Sequence, residues 1–503
     1  MRLSTKLYSL AGGVALALAA GACDSGLTDI NDNPNAPVDV DPEFIFPQGV
    51  VASVSLVRGA GFDLTMTSLW TQHIAKIQYI DEDWYEIRPQ TINAWWSAFY
   101  SGPLQDFTQV IRQASGGGDE AGTAPQPLIA GPAIVMKQWT FGAMTDIWGD
   151  IPYSEANQGD MPEADYTPAY DTQQEIYSGM LAALTDASTL MSTGSGIEYG
   201  GADPIYGGDP AAWQTFANSL RLRYAIRLAD VDPTRAQSEI TAALAAPGGV
   251  FENNADNATL VFPGDGTNDN PWYTNFRSRE DHRVSETLID TLIGLDDPRL
   301  AVYAQPFTDA DEPDYRGTRY RGIPNGLSNT VATSVYGLAG TSRPGAIFIE
   351  DPAAPLHLMT YAEVEFILAE AAERGWISGS AAEHYEAGIR ASMNMPNYGI
   401  SSGEIDAYIV QPEIAYTAGS ARLDQIAFQK WLALYGQGAE AFAEYRRTNV
   451  PVLEPGPEAI LDEVASRLFY PSTEQSFNAE NLQAAITSIG GDELTTHVWW
   501  DVD

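Results

Sequence analysis

Cys23 is the only cysteine in 503 residues, so no disulfide can close within the chain. Whatever this sequence folds into must be held by a packed core and by hydrogen bonds. Hydrophobic residues make up 44% and aromatic residues 11%, enough to build such a core unaided. The position of the cysteine is a second constraint. Arg2 and Lys6 precede an apolar run from Leu7 to Ala20, and Ala20-Gly21-Ala22 leads into Cys23. That run is shorter than the ~20 residues a membrane-crossing helix needs. Residues 1–22 therefore read as a lipoprotein signal peptide, with Cys23 acylated (a palmitate anchor) at the start of the mature chain. Ala20 stands where such boxes usually carry Leu, and Ala20-x-Ala22 also fits an ordinary signal peptidase, which would leave a secreted chain with a stray thiol. No later apolar run is expected to span a membrane.

Charge excludes whole classes of partner. The formal net charge is −41, and removing 1–22, with Arg2 and Lys6 and no acid, takes it to −43. A surface this acidic repels phosphate backbones, so no nucleic-acid partner is expected. It repels anionic lipid headgroups as well. Salt eases its self-repulsion, which suits a saline setting.

Along the chain, residues 23–43 are polar, with Asn33-Pro34 and Ala36-Pro37, and read as a tether. The remainder, 44–503, shows no domain boundary and is dominated by helical patterning. Trp95, Phe99, Phe107, Val110 and Ile111 fit one helical face. Further helices are expected over 128–147, 171–191 and 211–230, the last capped by Asp209-Pro210. Thr234-x-x-Gln237 resembles a capping box. Thr360-x-x-Glu363 and Ser380-x-x-Glu383 open two successive helices around Gly375 and Gly379, a helical hairpin. A helical segment over 420–447 is expected to break near Gly436-Gly438. Long polar loops fill 115–127, 194–209, 263–282 and 305–355, and loops of that length in a compact chain often carry function.

Catalytic motifs are absent. There is no phosphate-binding glycine loop, no nucleophile elbow and no zinc-protease pair. Asp29-x-Asn31-x-Asn33 starts like a calcium loop, but Pro34 and Val40 stand where Gly and Glu are needed. Asp265, Asp269 and the acids of 309–314 read as solvated loop residues, so no metal and no cofactor is expected. A secreted glycoside hydrolase stays open as an alternative, since any two of the 67 acidic residues could be paired on paper.

Aromatics set in polar loops carry the stronger signal. Tyr79, Trp84 and Tyr85 stand among Asp81, Glu82, Asp83 and Arg88. Trp272 and Tyr273 follow Asp269-Asn270-Pro271, with Asn275 and Arg277 just beyond. A ring that stacks on a sugar face beside groups that bond its hydroxyls suits glycan binding. The other reading is that these rings anchor the loops. For Trp95, Trp96, Phe99 and Tyr100 the helical spacing favours the core.

Several segments together resemble a known family. They include Asp29-Ile-Asn-Asp-Asn-Pro-Asn35, Trp148-Gly-Asp-Ile-Pro-Tyr-Ser-Glu-Ala156 and Phe216-Ala-Asn-Ser-Leu-Arg-Leu-Arg-Tyr-Ala-Ile-Arg227. Val284-Ser-Glu-Thr-Leu-Ile-Asp290, Asp297-Pro-Arg299 and Met359-Thr-Tyr-Ala-Glu-Val-Glu-Phe-Ile-Leu-Ala-Glu370 follow. Gln429-Lys-Trp-Leu-Ala-Leu-Tyr435, Tyr445-Arg-Arg-Thr448, Tyr470-Pro-Ser-Thr-Glu474 and Asn478-Ala-Glu-Asn481 complete the set. In this order the chain resembles the SusD-like branch of the SusD/RagB family of nutrient-binding outer-membrane lipoproteins. The resemblance implies a mainly α fold with tetratricopeptide-type helical hairpins and long ligand-binding loops. It also implies a surface-exposed, lipid-anchored protein that captures an oligosaccharide, or in some members a peptide, without chemistry, and passes it to a SusC-type TonB-dependent transporter. The ligand contacts expected are Tyr79, Trp84, Tyr85, Arg88, Trp272, Tyr273, Asn275 and Arg277. A structural or adhesive lipoprotein is the remaining alternative.

Overall fold

The computed structural model describes residues 40–116, 125–159, 161, 164–417 and 421–502. The signal peptide, Cys23, the calcium-like Asp29–Asn33 stretch and most of the 23–43 tether lie outside the described residues.

The main helices are α1 (Pro42–Val57), α2 (Pro89–Ser101), α3 (Pro103–Ala114), α4 (Pro127–Trp148), α5 (Gln173–Thr193), α6 (Pro210–Ile226) and α7 (Pro233–Leu244). They continue with α8 (Pro271–Phe276), α9 (Tyr361–Glu373), α10 (Ala381–Met393), α11 (Arg422–Ala433), α12 (Gly438–Thr448) and α13 (Ala479–Ile489). Four short strands are β1 (Ile74–Lys76), β2 (Ala258–Val261), β3 (His282–Val284) and β4 (Pro355–Met359). They form two antiparallel pairs, β1 with β3 and β2 with β4. The fold is mainly α, built from paired helices: α3 packs on α4, α4 on α5, α5 on α6, α6 on α7, and α9 on α10.

Local chemistry explains many of the boundaries. Asp209 accepts the Ala211 N–H and Pro210 takes the first helical position of α6, as Asp-Pro predicts. The stripe from Trp95 to Ile111 is cut in two. Gly102 and Pro103 separate α2 from α3, and a Cβ on Gly102 would sit 2.7 Å from the Ala98 carbonyl oxygen. The cap of α7 is Asp232, which accepts the Arg235 N–H, with Pro233 at the first turn; the Thr234-x-x-Gln237 box does not form. Thr360 and Ser380 do cap α9 and α10. The reciprocal half of the Thr360 box is missing because Glu363 turns instead to Arg223. The 420–447 segment breaks between Ala433 and Gly438 as its glycines suggest.

One stretch departs from the expectation about apolar runs. Pro42–Trp70 is long and apolar enough to cross a membrane by composition alone. Here it is a core element: Phe46, Val50, Val54, Leu64 and Met66 are buried, and α1 packs on α3. α4 is buried around most of its circumference, the signature of a central helix. Gly142 lets α6 approach it, since a Cβ there would lie 2.1 Å from the Tyr224 hydroxyl.

The centre of the molecule is ionic as well as apolar. Arg223 forks onto Glu363 at 2.5 and 2.6 Å and lies 3.3 Å from Glu440. Arg227 reaches Glu440 at 2.8 Å and Glu444 at 2.6 Å. Lys430 and Arg447 also pair with Glu444, and Arg447 with Glu370 at 2.6 Å. These groups are buried. Segments 216–227, 359–370, 429–435 and 445–448, which carried much of the family resemblance, therefore meet at one network. Their charged residues hold α6, α9, α11 and α12 in register.

Candidate ligand-binding face

β1 and β3 bring the two aromatic loops together. Ile74 pairs with Val284, Ala75 with Arg283 and Lys76 with His282, and the Ile77 N–H continues the ladder to the Asp281 carbonyl at 2.8 Å. The chain leaving β1 becomes the 79–88 loop, and the chain entering β3 comes from the 269–277 loop. Two regions some 200 residues apart in sequence thus share one edge.

Tyr79 is the residue displayed there. Its side chain is exposed (61%) and its backbone is left-handed, φ 52°. A tyrosine in this conformation costs free energy, on the order of 1 kcal/mol. The cost is met by the surroundings: the Lys76 ammonium donates to the Tyr79 carbonyl at 2.9 Å and pairs with Glu82. Over the ring lies the Arg279 guanidinium, 5.4 Å from the centroid, in cation–π range. Arg279 is placed by its N–H bond to the Asn275 carbonyl, 3.0 Å, at the end of α8. Its Nε is fastened to Asp281 at 2.7 Å.

The other expected contacts divide by burial. Arg88 is exposed and pairs with Asp81 at 3.0 Å. Tyr273 is half-buried with Arg277 over its ring at 5.9 Å, and Arg277 faces Asp269 at 3.8 Å. Trp84 is half-buried and its indole N–H donates to the Leu327 carbonyl at 3.0 Å. Asn275 is half-buried, and its Nδ2 has no hydrogen-bond partner.

Trp272 and Tyr85 belong to the packing instead. Trp272 is 1% exposed, donates to the Arg58 carbonyl at 3.0 Å and lies against Phe348 and Tyr435. Tyr85 is 4% exposed and its ring meets Trp70 at 5.6 Å. Neither offers a face to a ligand in this structure, so the expectation that they stack on one is revised: both anchor their loops. Trp95, Trp96 and Phe99 are core residues, as their spacing implies.

Two neighbours escaped sequence reading. Arg279 sits outside the aromatic clusters and only the β1–β3 pairing reveals its position. His282 is buried with both ring nitrogens unpartnered, and burial, with Lys76, Arg279 and Arg283 nearby, holds its pKa well below the usual value. It is a neutral imidazole beneath the face. A third loop closes the edge. Asn325 donates to Asp83 at 2.8 Å and to the Ile74 carbonyl at 2.9 Å, which ties the 305–355 loop to both β1 and the 79–88 loop. Asp265 and Asp269 brace their own turn through backbone N–H groups. Among the described residues no group of three or more His, Cys, Asp or Glu is placed to hold a metal.

A helical scaffold thus lifts a strained, exposed tyrosine and its guanidinium partner onto a loop-built edge. The SusD-like family profile, described as starch-binding associating with outer membrane, matches residues 49–471. The chain belongs to the SusD-like family. Similar solved structures include a chitin-binding protein (28% identical, TM-score 0.78, covering 92% of this chain and 100% of that one). A chitin-binding SusD homolog from Flavobacterium johnsoniae is 26% identical (TM-score 0.78, 91% and 99% covered). A SusD homolog from Bacteroides uniformis is 27% identical (TM-score 0.75, 92% and 100% covered). No curated protein matches the chain. As a family member it is a non-catalytic, nutrient-binding protein of the outer membrane, and the glycoside hydrolase alternative falls away.

Proposed function

We propose that this protein captures an oligosaccharide at the cell surface on the Tyr79 face and delivers it to a SusC-type TonB-dependent transporter. The observation that carries this reading is the Tyr79–Arg279 pair: an exposed ring held in a costly backbone conformation, with a donor-rich guanidinium over it. Strain kept at a surface position is a mark of function. The ring takes an apolar sugar face, and Arg279, Arg277 and Arg88 bond hydroxyls, with Asn275 just beneath them. Tyr273 and Trp84 extend the platform. Two of the similar structures are of chitin-binding proteins, which favours a glycan over a peptide. Cys23 carries the lipid that seats the protein in the outer leaflet, and closure over the transporter traps the ligand. Import energy comes from the transporter.

Incubating the chain from Asp24 to Asp503 with polysaccharides, their oligomers and peptide digests tests this, with retention and degradation read together. Saturable retention of a glycan without new products, weakened in Tyr79→Ala, is the expected result. Full retention by that variant would remove Tyr79 from the site.

A further inference from the structure

We infer that the ligand of this face carries no anionic groups: a neutral, hydroxyl-rich oligosaccharide and not a uronate, a sulfated glycan or an acidic peptide. The inference rests on the Tyr79 face being the binding site, and it comes from how the cations of the face are already engaged.

Every arginine between residues 277 and 343, and Arg88 with them, has a carboxylate at 3.8 Å or less. The pairing holds at the centre of the face, Arg279 with Asp281 at 2.7 Å, and in the 79–88 loop, Arg88 with Asp81 at 3.0 Å. Lys76 is paired with Glu82. Around Tyr79 the cations Lys76, Arg88, Arg277 and Arg279 are thus matched one for one by Glu82, Asp81, Asp269 and Asp281. His282 adds no charge. Glu86, in the same loop, is exposed with no ion pair among the described residues, so in a chain of net charge −41 this edge holds no spare cation and carries at least one free carboxylate.

An anionic ligand would have to displace one of these carboxylates. The central one, Asp281, is buried, and a buried carboxylate stripped of its partner is strongly unfavourable. The whole-protein field also opposes approach of a polyanion. Pairing does not silence the guanidinium as a donor. Arg279 uses its Nε on Asp281, and its two terminal NH2 groups carry no hydrogen bond among the described residues. Paired arginines set on tyrosine rings, Arg279 on Tyr79 and Arg277 on Tyr273, supply donors and an apolar surface with no net charge. Sugar hydroxyls and C–H faces are the complementary chemistry.

The test uses the mature chain, the Tyr79→Ala variant and the Asp81→Asn variant. The last frees Arg88 at an exposed pair, where folding is little affected. Probes are N-acetylglucosamine, glucose and mannose oligomers against polygalacturonate, alginate, carrageenan and a tryptic peptide digest, at low and high salt. Expected is Tyr79-dependent binding of a neutral oligomer whose affinity changes less than about twofold with salt. Anionic polymers should bind at least about tenfold more weakly, and Asp81→Asn should narrow that gap. Tighter, Tyr79-dependent binding of an anionic polymer or acidic peptide overturns the inference and leaves the site reading intact. Binding of every probe unaltered by Tyr79→Ala, or no binding by a folded chain, overturns both.

Discussion

The Arg279 guanidinium lies over the Tyr79 ring, 5.4 Å from its centroid, and the contact exists because β1 and β3 are hydrogen-bonded neighbours. Tyr79 turns away from β1 in a left-handed conformation, and Arg279 arrives one turn after α8. Neither segment alone would present the pair. The strain arises from the Cβ and not from the ring, so only glycine at position 79 would relieve the backbone.

Tyr79 can therefore be separated from the stability of the fold. Tyr79→Ala should weaken ligand binding about tenfold, roughly 1–2 kcal/mol for an exposed aromatic anchor. Tyr79→Gly should do the same while keeping unfolding free energy within about 1 kcal/mol of the parent, because glycine adopts φ 52° freely. Calorimetric titration beside urea unfolding checks both. A Gly variant that binds fully would show that the ring is not a contact.

Trp272 should behave in the opposite way. It is buried and bonded to Arg58, so Trp272→Ala should cost about 3–5 kcal/mol of stability. Any loss of affinity should track the loss of fold. If melting is unchanged and only affinity falls, Trp272 is a ligand platform after all.

The ionic core gives a third prediction. Glu363→Gln leaves the buried Arg223 without its bidentate partner. Removing one member of a buried ion pair costs about 3–5 kcal/mol. Urea unfolding should show a lower midpoint with an unchanged slope. A loss below about 1 kcal/mol would mean that Glu440 takes over the pairing.

His73 links pH to stability. It is buried between Trp431 and Tyr435, with Nε2 donating to the Trp431 carbonyl at 3.0 Å. Burial brings its pKa down to about 3 from 6.5, against the upward pull of that hydrogen bond. A folded value below the unfolded one gives a contribution present above pH 6.5 and lost as pH falls towards 3. The ring should be neutral at pH 5 by its 15N shifts. His73→Gln should unfold with a flatter pH dependence than the parent over that window. A protonated His73 signal in the folded protein at pH 5 would contradict this.

Salt gives the last. A chain of net charge −41 repels itself, so its melting temperature should rise from low to high sodium chloride as screening sets in. A flat or falling melting temperature would mean that paired charges already cancel the repulsion.

Much of this was legible in the sequence. The helices of 127–148, 173–193 and 210–226, the α9–α10 hairpin and the break before Gly438 follow from local signals: periodicity, Asp-Pro and Ser or Thr caps, and glycine. Local energies act within a few residues, so a sequence read in short windows captures them. The expectation of no phosphate-rich partner came from net charge, which depends on no fold. What a ring does is not local. Trp272 and Tyr79 stand in similar polar loops, and only packing buries the first against Phe348 and exposes the second. The switch of Glu363 from its cap to Arg223, the meeting of Arg279 with Tyr79, and the pairing of Arg227 with Glu440 and Glu444 join residues far apart in the chain. Tertiary structure decided these, because burial and ion pairing depend on which distant segments the core brings within a few ångströms.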